Sequence, residues 1–262
     1  MNLELDKKVA LVMGGSKGIG LAIATGLAVE GVTVCIVSRS IKNLRAAQQK
    51  IFSSTSVQVL IYQADSGSES DIISMQQFLS DGPGLPDIVI NNSGGPPMGT
   101  IVDHDVSVWK TAFDQHLLAP IRLIKLFSPN MVSNNWGRFI NISSTVAIEP
   151  TSIMSVSATM RAGVAALSKS ASLTLADSGV TINTICPGGV STDRLLELFE
   201  VQSERKGVSS AKLLSDAQES IPMKRFAEPQ ELADLAVFLC SKRASYITGR
   251  VHSIDGGLTA SY

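Results

Sequence analysis

No stretch of this chain is apolar for anything near the roughly 20 residues that a membrane span needs. The longest apolar runs are strand-sized, so no membrane association is expected. Nor is there a basic run: 22 Lys and Arg against 23 Asp and Glu leave a formal charge of −1. That argues against nucleic acid as a partner, because a phosphate backbone is gripped by clustered positive charge. Cysteine is scarce. Cys35, Cys186 and Cys240 are odd in number and far apart. This spacing argues against a disulfide framework and suits reduced, buried thiols in a cytoplasmic protein. The three histidines, His104, His116 and His252, lack metal-ligand spacing, and no metal site is expected. The start, Met1 to Lys8, is polar and runs straight into a strand, without the apolar segment of a signal peptide.

What is present is a globular composition, 44% hydrophobic and 17% charged over 262 residues. That length suits one large α/β domain spanning 1–262, with ample core. Short runs rich in Val and Ile alternate with helical patterns. Segments 8–13, 32–37, 57–62, 87–91, 138–142, 180–185 and 250–254 read as strands. They lack polar alternation, as parallel strands covered on both faces do. Helices are expected near 18–30, 41–52, 68–79, 105–133, 155–178 and 229–241. This alternation predicts a Rossmann-type, doubly wound, seven-stranded parallel sheet. Segment 193–222 differs. It has helical spacing between a Pro-Gly turn and Pro222, and it reads as a helical cover over the ligand-binding edge of the sheet. Its Leu195, Leu196, Leu198, Phe199, Leu213 and Leu214 would make that cover apolar.

The turn Gly14-Gly15-Ser16-Lys17-Gly18-Ile19-Gly20 follows the first strand and opens the first helix. Glycines there let the backbone approach a pyrophosphate, which rests on the positive end of the helix. Together with Asn91-Asn92-Ser93-Gly94, Pro187-Gly188 through Val190 to Thr192, and Tyr246-Ile247-Thr248-Gly249 before Asp255-Gly256-Gly257, this spacing resembles the short-chain dehydrogenase/reductase family. Overall the chain is similar to that family's 3-oxoacyl-thioester reductases. The likeness covers nearly the whole chain.

The second strand ends Val37-Ser38-Arg39. An acidic residue there would accept hydrogen bonds from an NAD ribose, whereas arginine pairs with the 2′-phosphate of NADP. NADP(H) is therefore the expected cofactor, with Lys17 as a second cation. The resemblance adds Asp65 against the adenine, Asn92 beside the glycine turn, and Pro187, Gly188, Val190 and Thr192 beside the nicotinamide. Ser68 with Asp71 is expected to cap the next helix, so Asp65 is not needed for that.

By the same resemblance the catalytic set would be a serine, a tyrosine, a lysine one turn later and an asparagine in the preceding helix. This chain supplies Ser144. Thirteen residues on, the tyrosine position holds Ser157, and four further on the lysine position holds Arg161. The asparagine position holds His116. The chain thus resembles a divergent member lacking Tyr-x-x-x-Lys, similar in its C-terminal third to the enone reductases of bacilysin pathways. A serine hydroxyl is a far weaker acid than a phenol and its side chain is shorter. Arg161 stays protonated; it can bind the nicotinamide ribose but cannot relay a proton. His116 titrates near neutral pH, yet it also lies on an apolar stripe with Trp109, Phe113, Leu117, Pro120 and Ile124. A packed histidine and a direct role both remain open. Pro120 has no N–H, so the His116 carbonyl loses its helical partner, and the resemblance places a relay water there.

These readings lead to an NADPH-dependent oxidoreductase that acts on a small molecule, a carbonyl compound or a conjugated enone, with atypical acid catalysis. The alternative is a catalytically silent NADP-binding scaffold or sensor. Pro96, Pro97 and Met98 are expected to line the substrate cleft. A homotetramer or homodimer is expected from the resemblance, with Ala158, Ala162, Ala165 and Ala166 permitting close helix approach.

Overall fold

The computed structural model describes residues 1–261. Among them, the strands are β1 Val9–Met13, β2 Thr33–Ser38, β3 Leu60–Gln63, β4 Ile88–Asn91, β5 Gly137–Ile142, β6 Val180–Pro187 and β7 Val251–Ile254. The helices are α1 Gly18–Val29, α2 Ile41–Thr55, α3 Glu69–Asp81, α4 Val106–Phe113, α5 Ala119–Ser133, α6 Ser155–Leu175, α7 Asp193–Lys206, α8 Ser210–Ser220 and α9 Pro229–Cys240. All strand pairs are parallel, in the order β3-β2-β1-β4-β5-β6-β7. This is the doubly wound architecture expected from the alternation of strands and helices.

The continuous apolar strands follow from burial on both faces. In β1, Ala10 and Val12 join Ile36, Ile90, Ile140 and Ile185 on one face, under Ile23 and Leu27 of α1 and Leu232 of α9. Leu11 and Met13 join Val37, Val89 and Phe139 on the other, against Met75 of α3 and Phe127 of α5. Helix starts are fixed by short polar side chains. Ser40 accepts from Asn43 N–H, and Ser68 accepts from Asp71 N–H while donating to its carboxylate. Such a cap is worth about 1 kcal/mol. Cys35, Cys186 and Cys240 are free and buried, and burial pushes the Cys35 and Cys240 thiols up to about 12.

The structure refines three of the expected elements. The strand read at 57–62 begins only at Leu60, because α2 runs on to Thr55 and Ser56 turns left-handed at φ 60°. The helix read at 105–133 is broken by a π turn, Asp114–Leu118, between α4 and α5. Pro120 cannot donate to the His116 carbonyl, and the backbone widens so that Ala119 N–H bonds Asp114 O instead. Segment 195–220 is two helices. Gly207, at φ 64°, ends α7 in the left-handed region that glycine adopts without steric cost.

Candidate active site

Strand order reverses between β1 and β4, and the chain segments leaving those two strands diverge to open a crevice. The glycine turn after β1 lies against Asn92 after β4. Asn92 Nδ2 donates to Gly14 O at 3.2 Å. A Cβ on Gly14 or on Gly20 would lie 2.7 Å from Asn92 Nδ2, so the close approach requires bare backbone. The Asn92 side chain is thus engaged in bracing the turn. Ile19 packs on the core and Ser16 is half-buried in the turn.

A cleft of about 200 Å³ opens here. Gly14, Ser38, Arg39, Asp65, Asn92 and His116, named from sequence, all line it, together with Ser93, Gly94, Gly95 and Gln115. Asp65 also accepts Gly67 N–H at 2.9 Å. Lys17 is placed differently from Arg39. Its Nζ lies 3.7 Å from the Asp193 carboxylate at the start of α7, and both side chains are exposed. Pro187, Gly188 and Val190 carry the chain from β6 toward α7, held by Gly188 N–H on Ile254 O and by a bridge between Val190 and Ala227. Thr192 caps α7 through Leu195 N–H, and its methyl would meet a Cβ on Gly18 at 3.2 Å. The loop therefore sits on the glycine turn.

After β5, Ser144 caps a short turn, its Oγ accepting Val146 N–H at 3.4 Å, and it lines neither the cleft nor its neighbouring cavity. Ser157 and Arg161 share one face of α6, as their spacing requires. Ser157 is only 2% exposed. Its Oγ accepts from Arg161 Nε at 3.1 Å. Arg161 Nη1 donates to the carbonyls of Ser143 and Ile142. Burial, with the positive Arg194 nearby, lowers the Arg161 guanidinium to about 10, which still leaves it charged at neutral pH.

His116 is buried in the π turn, and its Nδ1 lies 2.9 Å from Ser93 Oγ. Burial, and then the charge of Arg161, push its pKa down to about 4. The ring is neutral at pH 7. His116 and Gln115 also line a second cavity of about 280 Å³, formed by Pro96, Pro97, Ser107, Val108, Thr111 and Ala112. Pro96 and Pro97 thus belong to this neighbouring cavity. Met98 lines neither cavity; it is buried, and its carbonyl takes Arg205 Nη2 at 3.2 Å.

Several apolar residues of α7 and α8 are engaged with one another. Leu195, Phe199, Leu213 and Leu214 pack with Ile221 and Phe226 into a small core of their own, and Leu196 is exposed. Sequence reasoning missed Ser93 and Arg194. For Ser93 a signal existed, since it stands where the resembled motif has alanine.

The family model described as enoyl-(acyl carrier protein) reductase matches residues 14–259. The NADPH-dependent reductase BacG of Bacillus subtilis is 34% identical over 97% of this chain and 98% of its own length. L-sorbose reductase from Gluconobacter frateurii, solved with NADPH and L-sorbose, superposes over 100% of both chains with a TM-score of 0.94 at 28% identity. YwfH, an NADPH-dependent reductase involved in bacilysin biosynthesis, superposes with a TM-score of 0.92 at 33% identity, over 98% of this chain and 100% of its own. Fold and glycine-turn crevice define a dinucleotide-binding α/β protein, and the matches narrow that class. The chain belongs to the short-chain dehydrogenase/reductase family of oxidoreductases.

Proposed function

We propose that this protein is an NADPH-dependent reductase that adds hydride to the conjugated double bond of a small enone. The observation that carries this reading is the state of Ser157. It is sealed from solvent and its oxygen is engaged by Arg161. A hydroxyl so placed serves as a support for Arg161 and delivers no proton to substrate. A carbonyl reduction needs an acid at the nascent alkoxide. A conjugate reduction needs only a donor for the developing enolate oxygen, and water can protonate carbon afterwards.

The residues present fit the cofactor. Arg39 lines the cleft at the end of β2, where a 2′-phosphate would meet it, and Gly14 lines the same cleft with its bare backbone packed close to Asn92. When bound, NADPH supplies the hydride. Ser144 Oγ–H is the donor for the substrate oxygen. Arg161, anchored on Ser157 and two carbonyls, offers its remaining nitrogen to the nicotinamide ribose. With Ser93 donating to Nδ1, neutral His116 carries its proton on Nε2 and forms a second donor between the two cavities. NADPH dependence among the relatives supports the cofactor assignment.

Helices α7 and α8, within residues 193–222, act as the substrate cover of one domain. The outer face of α6, with Ala162 and Ala166 exposed, suits assembly into a homotetramer, which light scattering at micromolar concentration checks; a monomer would refute it. The reductase reading is tested by NADPH oxidation against matched cyclic enones and ketones. Enones should turn over faster. Absence of turnover on either, with NADPH bound, would favour a silent scaffold.

A further inference from the structure

We propose that Arg194, at the start of α7, anchors an anionic group of the substrate, a carboxylate in the first instance. This inference rests on the reductase reading. Its starting point is what the first turn of α7 presents to the crevice, where Arg194 reaches Gly95 while Leu195 packs beside Phe199.

Arg194 Nη2 reaches across to the carbonyl of Gly95 at 3.5 Å. A methyl group built on Gly95 would lie 3.8 Å from Arg161 Nη2 and 3.9 Å from Arg194 Nη2. Two guanidinium groups therefore flank one point at the cleft. Among the described residues Arg161 has only carbonyl and hydroxyl partners. Arg194 has Glu197 on its other nitrogen, Nη1, at 3.5 Å, in an exposed pair of the kind worth little. The crevice thus holds two guanidinium groups whose one anionic partner among the described residues is the exposed Glu197.

Position separates this charge from that meant for the cofactor phosphates. Arg39 lies at the end of β2, and Lys17 is drawn to Asp193. Gly95 instead joins the cofactor-side cleft to Pro96 and Pro97, which wall the second cavity of about 280 Å³. An anion on Arg194 places the rest of a small molecule beside His116, with apolar wall from Pro96, Pro97, Val108 and Ala112. The long contact of Arg194 to a neutral carbonyl is easily exchanged for a carboxylate, since charge-assisted hydrogen bonds are shorter and about twice as strong. The substrate class is then a small apolar skeleton bearing a carboxylate.

The test is calorimetric titration of the protein saturated with NADP⁺. The probes are 3-phenylpropanoate and cyclohexanecarboxylate, each against its uncharged amide. The acids should bind at least about tenfold more tightly than the amides, and Arg194→Gln should erase that preference while changing NADP⁺ affinity less than about twofold. Equal binding of acids and amides, or no binding by either, would overturn the proposal. So would a tenfold loss of NADP⁺ affinity in Arg194→Gln, which would assign this arginine to the cofactor phosphates. Failure of NADP⁺ to bind the unaltered protein is a separate outcome. It would remove the reductase reading and this inference with it.

Discussion

Around the glycine turn, contacts are made by backbone and by residues that the local chemistry demands. Gly14 and Gly20 are bare where Asn92 presses on them, and Arg39 stands at the strand end where a phosphate would lie. Around His116 the helix widens into a π turn, and polar side chains hold one another in pairs. Arg161 is held by Ser157, and His116 is held by Ser93. A tyrosine at position 157 would replace a side chain that is almost wholly buried. The comparison teaches that the cofactor end is constrained by a ligand of fixed shape, whereas the catalytic end is constrained only as a group and can move as one.

The comparison breaks most visibly at Ser144. Replacing it with alanine removes the donor proposed for the developing oxyanion and should lower kcat by roughly 10²–10³, with NADPH affinity unchanged. A loss of only a fewfold would mean that another group holds the oxygen. At the cofactor end, Arg39→Ala should weaken NADPH binding by about ten- to a hundred-fold, the worth of one charge-assisted pair. NADH binding should stay the same, and equal affinity for both nucleotides in the unaltered protein would sink the assignment.

A smaller effect separates the two ends by pH. His116 has a pKa of about 4 in the folded protein against an ordinary 6.5. The unfolded chain therefore binds the extra proton first as pH falls. His116 contributes no penalty above pH 6.5, and stability is lost progressively as pH drops from there toward 4, by roughly 1–3 kcal/mol. Thermal unfolding of His116→Gln should be less sensitive to pH over that window than unfolding of the parent. Parallel curves would show that the ring is not held neutral by burial.

The fold was readable because its signals are local. Val- and Ile-rich runs, the glycine turn and the Ser68–Asp71 cap each lie within a few residues of sequence. Arg39 was readable for the same reason. The π turn was half readable: Pro120 announces a missing donor, but the wider turn at Asp114–Leu118 depends on how α5 packs. The pairing of Ser93 with His116 spans 23 residues and leaves no periodic trace. Arg194 reads in sequence as one member of an ordinary i,i+3 charge pair with Glu197, and only the fold brings it to Gly95. That Leu195 of α7 packs with Leu213 and Leu214 of α8 is likewise a matter of how the two helices fold together, which their spacing does not show.

The central claim is that the catalytic end has abandoned tyrosine-type proton delivery and works by holding an enolate oxygen. It is tested most directly by the double variant Ser157→Tyr with Arg161→Lys, assayed beside the parent on matched ketone and enone substrates. The new phenol would fill the closed space beside α6 that Ser157 now occupies. Enone turnover should fall, with little gain on ketones. A large rise in ketone turnover with no loss on enones would contradict the account, because it would show that the ancestral route needed only its acid restored.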